Sequence, residues 1–225
     1  HLYAGFLEEP EAEFPLVGLV VSGGHTSILY VSGHGQFQVL GQTRDDAAGE
    51  VLDKVARAMG LGYPGGPKIE AAAATGDPRR YDFPRAWLDK DSLDFSYSGL
   101  KSALLNFLHN AEQRNEPVSV DDIAASFQEA VIEVLVEKTF MAALEKKVKT
   151  VMMVGGVAAN QQLRKEMRDR LAPEGIRLVV PPPELCTDNA AMIGCAAYYK
   201  MNNGQFSDLF LNALPNLSIN VENMG

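Results

Sequence analysis

Hydrophobic and polar positions at the start of the chain change from a helical period to a strand-like one. Apolar residues recur at helical spacing in His1–Glu9, and Leu16–Val21 is a continuous apolar run. Such a run predicts a strand that is buried on both faces. Thr26–Val31 and Gln36–Gln42 follow after short turns that contain glycine. The three apolar segments therefore predict an antiparallel meander.

Helical periodicity dominates the middle of the chain. It predicts a helix around Val51–Met59, which Thr43 or Asp45 caps and which Gly60 ends in a left-handed conformation. Three further helices are predicted at Lys68–Thr75, at Gly99–Arg114 and from Ser119 through Lys147. Ser119 is the expected N-cap of the last of these helices.

Strands and helices alternate in the last third of the chain. The pattern predicts strands at Thr150–Val154 and Ile176–Val180, and helices at Ala158–Leu171 and Thr187–Met201. Following a meander and a helical middle, this order is typical of an α/β fold in which helices cover a mixed sheet. Residues after Asn202 are polar and rich in turns, which predicts a loosely packed tail.

The composition is that of an ordinary globular protein, with 46% hydrophobic and 22% charged residues among 225. The net charge of −9 argues against a protein that binds nucleic acid unaided, because phosphate contacts need a cationic surface. Cys186 and Cys195 form no CxxC motif, so reduced thiols in a cytosolic protein are expected. The sequence shows no membrane-spanning run and no signal peptide, which predicts a cytoplasmic protein without a membrane partner.

Two glycine pairs lie at the ends of predicted strands and are candidate ligand sites. Val20-Val-Ser-Gly-Gly24 joins two strands, and its glycines would let a ligand approach the backbone. Gly155-Gly156 leads from a strand into a helix, whose free N–H groups attract anions, and Asn160 could hydrogen-bond a sugar or base. The alternatives are a hairpin turn and a close-packed turn that bind nothing.

Three carboxylates are candidates for contact with a ligand or a metal ion. Asp53 precedes the loop at residues 62–67 and Glu70 follows it, although Asp53 could equally pair with Arg57 on the surface of a helix. Asp188 follows a strand and could be a metal ligand or a helix cap. The four histidines form no HExxH or HxxxH motif, so the residues alone indicate no metal site.

Six segments that occur in a fixed order resemble one known family. They are Val20-Val-Ser-Gly-Gly-His-Thr26, Asp45-Asp-Ala-Ala-Gly-Glu-Val-Leu-Asp53, Tyr63-Pro-Gly-Gly-Pro67, Asp94-Phe-Ser-Tyr-Ser-Gly-Leu-Lys101, Val154-Gly-Gly-Val-Ala-Ala-Asn160 and Cys186-Thr-Asp-Asn-Ala-Ala-Met-Ile193. Together they resemble the bacterial branch of the TsaD family, the tRNA N6-adenosine threonylcarbamoyltransferases. The resemblance runs from His1 to about Leu211.

The resemblance implies the actin-like ATPase fold, in which two related α/β lobes enclose a nucleotide. On this basis residues 1–15 are expected to be the end of an N-terminal lobe and a linker, with the rest of that lobe absent. Residues 16–202 are expected to form the second lobe, with a helical insertion at about residues 53–145. Residues 203–225 are the expected tail.

The resemblance also implies transfer of a threonylcarbamoyl group from threonylcarbamoyl-adenylate to N6 of adenosine 37, in tRNAs that read codons beginning with A. Adenine nucleotide is a further possible ligand, and the implied partners are tRNA, TsaB and TsaE, with TsaC supplying the adenylate. The positions that match substrate contacts are Val20, Val21, Ser22, Gly23, Gly24, Asp53, Gly66, Glu70 and Asn160.

The family's metal, iron or zinc, is held by two histidines of an HxxxH helix and one aspartate. Asp188 matches the aspartate and His1 matches the second histidine. The first histidine would lie four residues before His1, which is outside this sequence. With that ligand missing, metal binding is expected to be weak and the chain by itself is expected to be inactive.

Two other functions compete with the transferase. A metallopeptidase would need a water-activating glutamate beside a histidine pair, and the sequence has no HExxH motif. A non-catalytic, actin-like module that binds adenine nucleotide within a protein complex is the stronger alternative.

Overall fold

A five-stranded mixed sheet forms the centre of the structure, a computed structural model that describes residues 1–85, 87–88 and 92–212. In spatial order the strands are β3-β2-β1-β4-β5. The first three pair antiparallel and confirm the predicted meander, while β1, β4 and β5 run parallel. Their bounds are β1 Leu16–Val21, β2 Thr26–Gly33, β3 Gln36–Gln42, β4 Thr150–Val154 and β5 Arg177–Val179.

Eight α-helices accompany this sheet in the described part of the chain. They are α1 Leu2–Glu8, α2 Ala48–Ala58, α3 Gly65–Ala73, α4 Ser98–Gln113, α5 Val120–Glu145, α6 Gln161–Leu171, α7 Pro183–Cys186 and α8 Ala190–Asn202. Helices α2 to α5 lie between β3 and β4 in the sequence. No described helix is both long and apolar enough to cross a membrane.

The two faces of the sheet have separate hydrophobic cores. Alternate residues of β1 point to opposite faces, as the pleat requires, so Val17 and Leu19 contribute to one core and Leu16 to the other. Helices α2 to α6 supply the larger core, whereas Leu2 and Phe6 of α1 belong to the smaller one. The continuous apolar run of β1 therefore reflects burial on both faces, as predicted.

The start of α2 differs from the prediction because tertiary contacts replace a local cap. Neither Thr43 nor Asp45 caps this helix: it begins after Ala47, and Thr26 of β2 accepts a hydrogen bond from the Ala48 N–H at 2.8 Å. Asp45 instead accepts hydrogen bonds from Ser96, Tyr97 and Ser98, which precede or begin α4. The end of α2 is as predicted, since Gly60 has a φ of 74°.

The helices that follow glycine or proline segments begin at residues other than those predicted. The loop at 62–67 is shorter than expected because α3 starts at Gly65. Asn160 separates a short 3-10 turn, Gly156–Ala159, from α6 and caps α6 by accepting the Leu163 N–H at 2.9 Å. Asn189, rather than Asp188, caps α8 through the Met192 N–H.

Other predicted features of the sequence agree with the structure. Ser119 caps α5 by accepting the Asp122 N–H, although the helix ends at Glu145 rather than Lys147. Cys186 and Cys195 are both free thiols. Residues 203–212 are exposed, as expected of a loose tail, and residues 213–225 lie outside the described part of the chain.

Tyr97 brings an unpaired hydroxyl into the larger core. Its side chain is fully buried and stacks on Phe95 at 6.2 Å between ring centroids, but no described residue hydrogen-bonds its hydroxyl. Burial raises the pKa of Tyr97, which keeps the hydroxyl protonated. An unpaired buried hydroxyl destabilises a fold because it loses its water without gaining another partner.

We therefore expect Tyr97→Phe to stabilise the protein. Removing the hydroxyl should raise the free energy of unfolding by about 1 kcal/mol, measured by urea denaturation. Thr139→Val is the matched control, because the buried Thr139 hydroxyl donates to the Leu135 carbonyl at 2.7 Å. Loss of this satisfied hydroxyl should lower stability, and equal effects of the two substitutions would contradict the interpretation.

Candidate functional site

A cleft of about 730 Å³ lies where the parallel strands β1, β4 and β5 reach their carboxyl ends. In open α/β sheets this edge is where ligands bind, because the loops leaving the strands surround a crevice there. The cleft is lined by His1, Ser22, Gly23, Gly24, His25, Gly49, Leu52, Asp53, Tyr63, Pro64, Gly66, Pro67, Glu70, Gly156, Val157, Ala159, Asn160, Thr187, Asp188 and Met192.

The floor of the cleft is largely backbone. At Gly23, Gly24, Gly66 and Gly156 an added Cβ atom would meet no protein atom within 4 Å, so these positions face open space. Gly155 is different: its φ is 100° and its Cβ would collide with the Val21 carbonyl oxygen. Glycine at the first four positions leaves room for a ligand, and glycine at position 155 allows the turn itself.

Asp53 is held by the start of α3 rather than by Arg57. Its Oδ1 atom accepts a hydrogen bond from the Gly65 N–H at 2.6 Å, which ties α2 to the first turn of α3. No described residue donates to Oδ2, and Asp53 lines the cleft. One oxygen of this carboxylate is therefore structural, whereas the other is available to a ligand.

Asn160 is the N-cap of α6, and Glu70 of α3 reaches the same helix start. Glu70 Oε1 accepts the Gln161 N–H at 2.7 Å, and Asn160 Oδ1 accepts the Leu163 N–H at 2.9 Å. Free N–H groups were expected at this helix start as an anion site, but these side chains satisfy two of them. A carboxylate thus already complements the positive end of the helix dipole.

His1 and Asp188 come together from opposite ends of the chain. His1 Nε2 lies 3.4 Å from Asp188 Oδ1, and His1 Nδ1 is buried without a described hydrogen-bond partner. Asp188 is 90% exposed, so its second oxygen is accessible. No group of three potential metal-ligating side chains occurs within residues 1–85, 87–88 and 92–212. The pair offers two donors, fewer than the three protein ligands that even an open metal site has.

Most residues predicted from the sequence to bind substrate meet in this cleft, but two do not line it. Val20 and Val21 belong to β1, and Val21 is fully buried in the core. They position the loop that begins at Ser22 without contributing side chains to the cleft. Tyr63 was not predicted as a site residue, although it lines the cleft with 73% of its surface exposed.

Solved structures with low sequence identity share this fold. A full-length HypF in its phosphate- and nucleotide-bound form superposes with a TM-score of 0.68 at 13% identity, covering 92% of this chain and 43% of HypF. An activator of 2-hydroxyisocaproyl-CoA dehydratase from Clostridium difficile gives a TM-score of 0.51 at 17% identity, covering 95% and 69%. These actin-like ATPase proteins confirm the predicted fold class.

Sequence comparison gives a much stronger match. The family profile described as "TsaD: tRNA N6-adenosine threonylcarbamoyltransferase" matches residues 1–195. The chain belongs to the TsaD family. Proteins of that name from Moorella thermoacetica and Desulfitobacterium hafniense are 56% and 54% identical over 98% and 97% of this chain. The chain spans 64% of the length of each of these relatives.

The match to the TsaD family includes every residue that lines the cleft, since the last of them is Met192.

One buried thiol lies directly behind that lining. Cys186 precedes Thr187, and Arg164 Nη2 lies 3.3 Å from its sulfur. Burial raises the pKa of the Cys186 thiol, with the positive charge of Arg164 opposing it. The sulfur therefore packs as a small buried side chain.

The two kinds of glycine in this site predict opposite effects on stability. Gly156→Ala should change the free energy of unfolding by less than about 0.5 kcal/mol, because its methyl group would enter open cleft space. Gly155→Ala should lower it by more than about 2 kcal/mol, because of both backbone strain and the collision with Val21. Urea denaturation measures both values, and a destabilised Gly156→Ala variant would contradict the open floor.

Proposed function

We propose that this chain acts in transfer of a threonylcarbamoyl group from threonylcarbamoyl-adenylate to N6 of adenosine 37 of tRNA. The adenine amine attacks the carbamoyl carbonyl, a C–N bond forms, the C–O bond to the phosphate breaks, and AMP and a proton are released. Membership of the TsaD family supports this reaction. The single structural observation that carries it is one cleft that brings together the loop after β1, the turn after β4 and the segment between α7 and α8.

The glycine-lined floor supports binding of the adenylate in this cleft. Gly23 and Gly24 after β1, and Gly156 after β4, leave room for a flat ligand to lie directly against the backbone. The carboxylates of Asp53, Glu70 and Asp188 in the cleft would repel a phosphate ester. Backbone N–H groups are therefore the donors suited to bind the phosphate here.

Carboxylate oxygens on one wall of the cleft are suited to hydroxyl groups. Asp53 Oδ2 and the second oxygen of Glu70 have no described donor, whereas the first oxygen of each side chain is held by a backbone N–H. Ionised carboxylates accept hydrogen bonds only, and ribose hydroxyls can donate them. This wall therefore orients the sugar and leaves the acyl group toward the opposite side.

His1 and Asp188 would hold an iron or zinc ion together with donors from outside the described residues. When bound, such an ion supplies a Lewis acid that polarises a carbonyl oxygen and orients the acyl group. The residues of this chain fix the two donors: α1 carries His1 at its start, and the segment between α7 and α8 carries Asp188. Asn189 caps α8 and so sets the direction in which the preceding Asp188 leaves the helix.

The proposed partners follow from the same reaction. We propose tRNA as the acceptor, TsaB and TsaE as protein partners, TsaC as the source of the adenylate, and the cytoplasm as the location. The net charge of −9 and the carboxylates of the cleft repel RNA phosphates. Cationic surface on a partner, or on the part of the longer relatives that this chain does not span, would therefore bind the tRNA backbone.

Asp188→Ala tests the proposed function. We expect it to remove nearly all modification of a tRNA substrate, assayed in a chain extended to the length of its relatives and supplied with the partner proteins. Bound iron and zinc, measured by elemental analysis, should fall with it. Glu184→Ala removes an exposed carboxylate four residues away and should change neither quantity. Unchanged modification by Asp188→Ala would contradict the role of this residue.

A nucleotide-binding module without catalytic activity is the second candidate. The fold comparisons support its nucleotide binding, because two proteins with this fold were solved with a nucleotide or ADPNP bound. Such a module would bind ADP but would leave tRNA unmodified at every partner combination. The tRNA modification assay therefore separates the two candidates.

Asp53→Asn tests the hydroxyl-binding wall, which both candidates share. The amide keeps an acceptor for the Gly65 N–H, so stability should hold, but it places an N–H₂ group where Oδ2 meets a ribose hydroxyl. Affinity for ADP, measured by isothermal titration, should fall by about tenfold, and affinity for 2′,3′-dideoxy-ADP should not. Equal losses for both nucleotides would show that Asp53 does not contact the sugar.

A further inference from the structure

A chain of amide side chains runs from Asn160 at the cleft through the buried Gln128 to the half-buried Gln162. Asn160 Nδ2 donates to Gln128 Oε1 at 2.8 Å, and Gln128 Nε2 donates to Gln162 Oε1 at 2.6 Å. Gln162 Nε2 in turn donates to Glu129 at 2.5 Å and Glu166 at 2.7 Å. Asn160 and Gln128 are 8% and 4% exposed, so water does not compete for the hydrogen bond between them. We call Asn160, Gln128 and Gln162, with the two glutamates, the amide relay; Gln128 and Gln162 do not line the cleft.

Two carboxylates give the amide relay its direction. Gln162 points its NH₂ group at Glu129 and Glu166 and its carbonyl oxygen at Gln128, which is the orientation in which ionised carboxylates can accept from it. Gln128 must then donate to Gln162 and accept from Asn160. Burial raises the pKa of Glu166, and the charge of Glu129 adds to this effect, while the hydrogen bond from Gln162 and the nearby Lys165 act in the opposite sense.

The cap of α6 fixes the Asn160 oxygen, and Gln128 fixes the direction of the Asn160 NH₂ group. Asn160 Oδ1 accepts the Leu163 N–H, which leaves only the NH₂ group for other contacts. One hydrogen of this group goes to Gln128, and no described residue accepts the second. Since Asn160 lines the cleft, its second N–H is available to a ligand there.

We propose that Gln128 and Gln162 are positioning residues that hold the Asn160 N–H as a donor toward a hydrogen-bond-accepting atom of the bound nucleotide. This inference rests on the proposed function, because it takes an adenine nucleotide as the ligand. The acceptor is a purine ring nitrogen or a ribose oxygen. A ligand that offers only a donor at that point is rejected, because two N–H groups would face one another in a buried place.

Nucleotide analogues that lack one acceptor at a time test the amide relay. The probes are ADP and its 1-deaza, 3-deaza, 7-deaza, 2′-deoxy and 3′-deoxy forms, titrated calorimetrically into the chain. In the wild type, one analogue should bind about 3- to 10-fold more weakly than ADP through loss of the Asn160 contact. In Gln128→Leu, the affinity for ADP should fall by a similar factor and the affinity for that analogue should fall no further. The two nucleotides should then bind equally tightly.

Thr139→Val is the matched control, because it also removes a buried hydrogen bond from α5 but lies outside the amide relay. It should keep the wild-type ratio between ADP and every analogue, even where stability falls. A general loss of packing would lower the affinity for all nucleotides equally. Only a misdirected Asn160 abolishes the difference in affinity between ADP and the one sensitive analogue. If Gln128→Leu does not fold, Gln162→Leu carries the same test from a half-buried position.

The titrations test the positioning role of the amide relay separately from the presence of a nucleotide site. Unchanged ratios in both relay variants would overturn the positioning role while leaving the proposed function intact. Failure of wild-type protein to bind ADP would contradict a nucleotide site within this chain, and the inference would fail with it. Loss of the ratio in the relay variants, with Thr139→Val unaffected, is the result we expect.

Discussion

The parallel pairing of β1 with β4 is the contact on which the cleft depends. The two strands align from Val17 opposite Val151 to Val20 opposite Val154, and both then leave the sheet at the same edge. Gly155 makes this exit possible, because a side chain there would collide with the Val21 carbonyl. The loop after β1 and the turn after β4 therefore lie side by side, and the floor between them is backbone. A ligand can approach it more closely than it could approach a surface of side chains.

The walls of the cleft are cross-linked by the side chains that are suited to bind a ligand. Asp53 joins α2 to α3, and Glu70 joins α3 to the start of α6. Each carboxylate uses one oxygen for this purpose and keeps another for the cleft. The geometry of the ligand-facing oxygens is thus set by folding, before any ligand arrives. Pre-organisation of this kind reduces the entropy that binding must overcome.

Packing of the first helix on the last one completes the site. Tyr3 and Phe6 of α1 contact Tyr199 of α8, with ring centroids 5.7 and 6.0 Å apart. This contact brings His1 to Asp188 across nearly the whole length of the sequence. The proposed metal ligands therefore depend on the smaller core, whereas the proposed nucleotide contacts depend on the larger one.

Local pattern determined the strands, most helices and the family, whereas tertiary structure decided the partners of the site residues. The bounds of β1 and β4 follow from which faces are buried, and that is a property of neighbouring residues. Asp53 could have paired with Arg57 four positions away, but it bonds Gly65, and Glu70 bonds Gln161 across 91 positions. Sequence spacing favours a partner that is near in the sequence. In the folded protein, a carboxylate bonds the unpaired backbone N–H groups at whichever helix start packs against it. For this reason the sequence indicated most of the predicted site residues that meet in the cleft, and only the packed structure showed which of their atoms a ligand can reach.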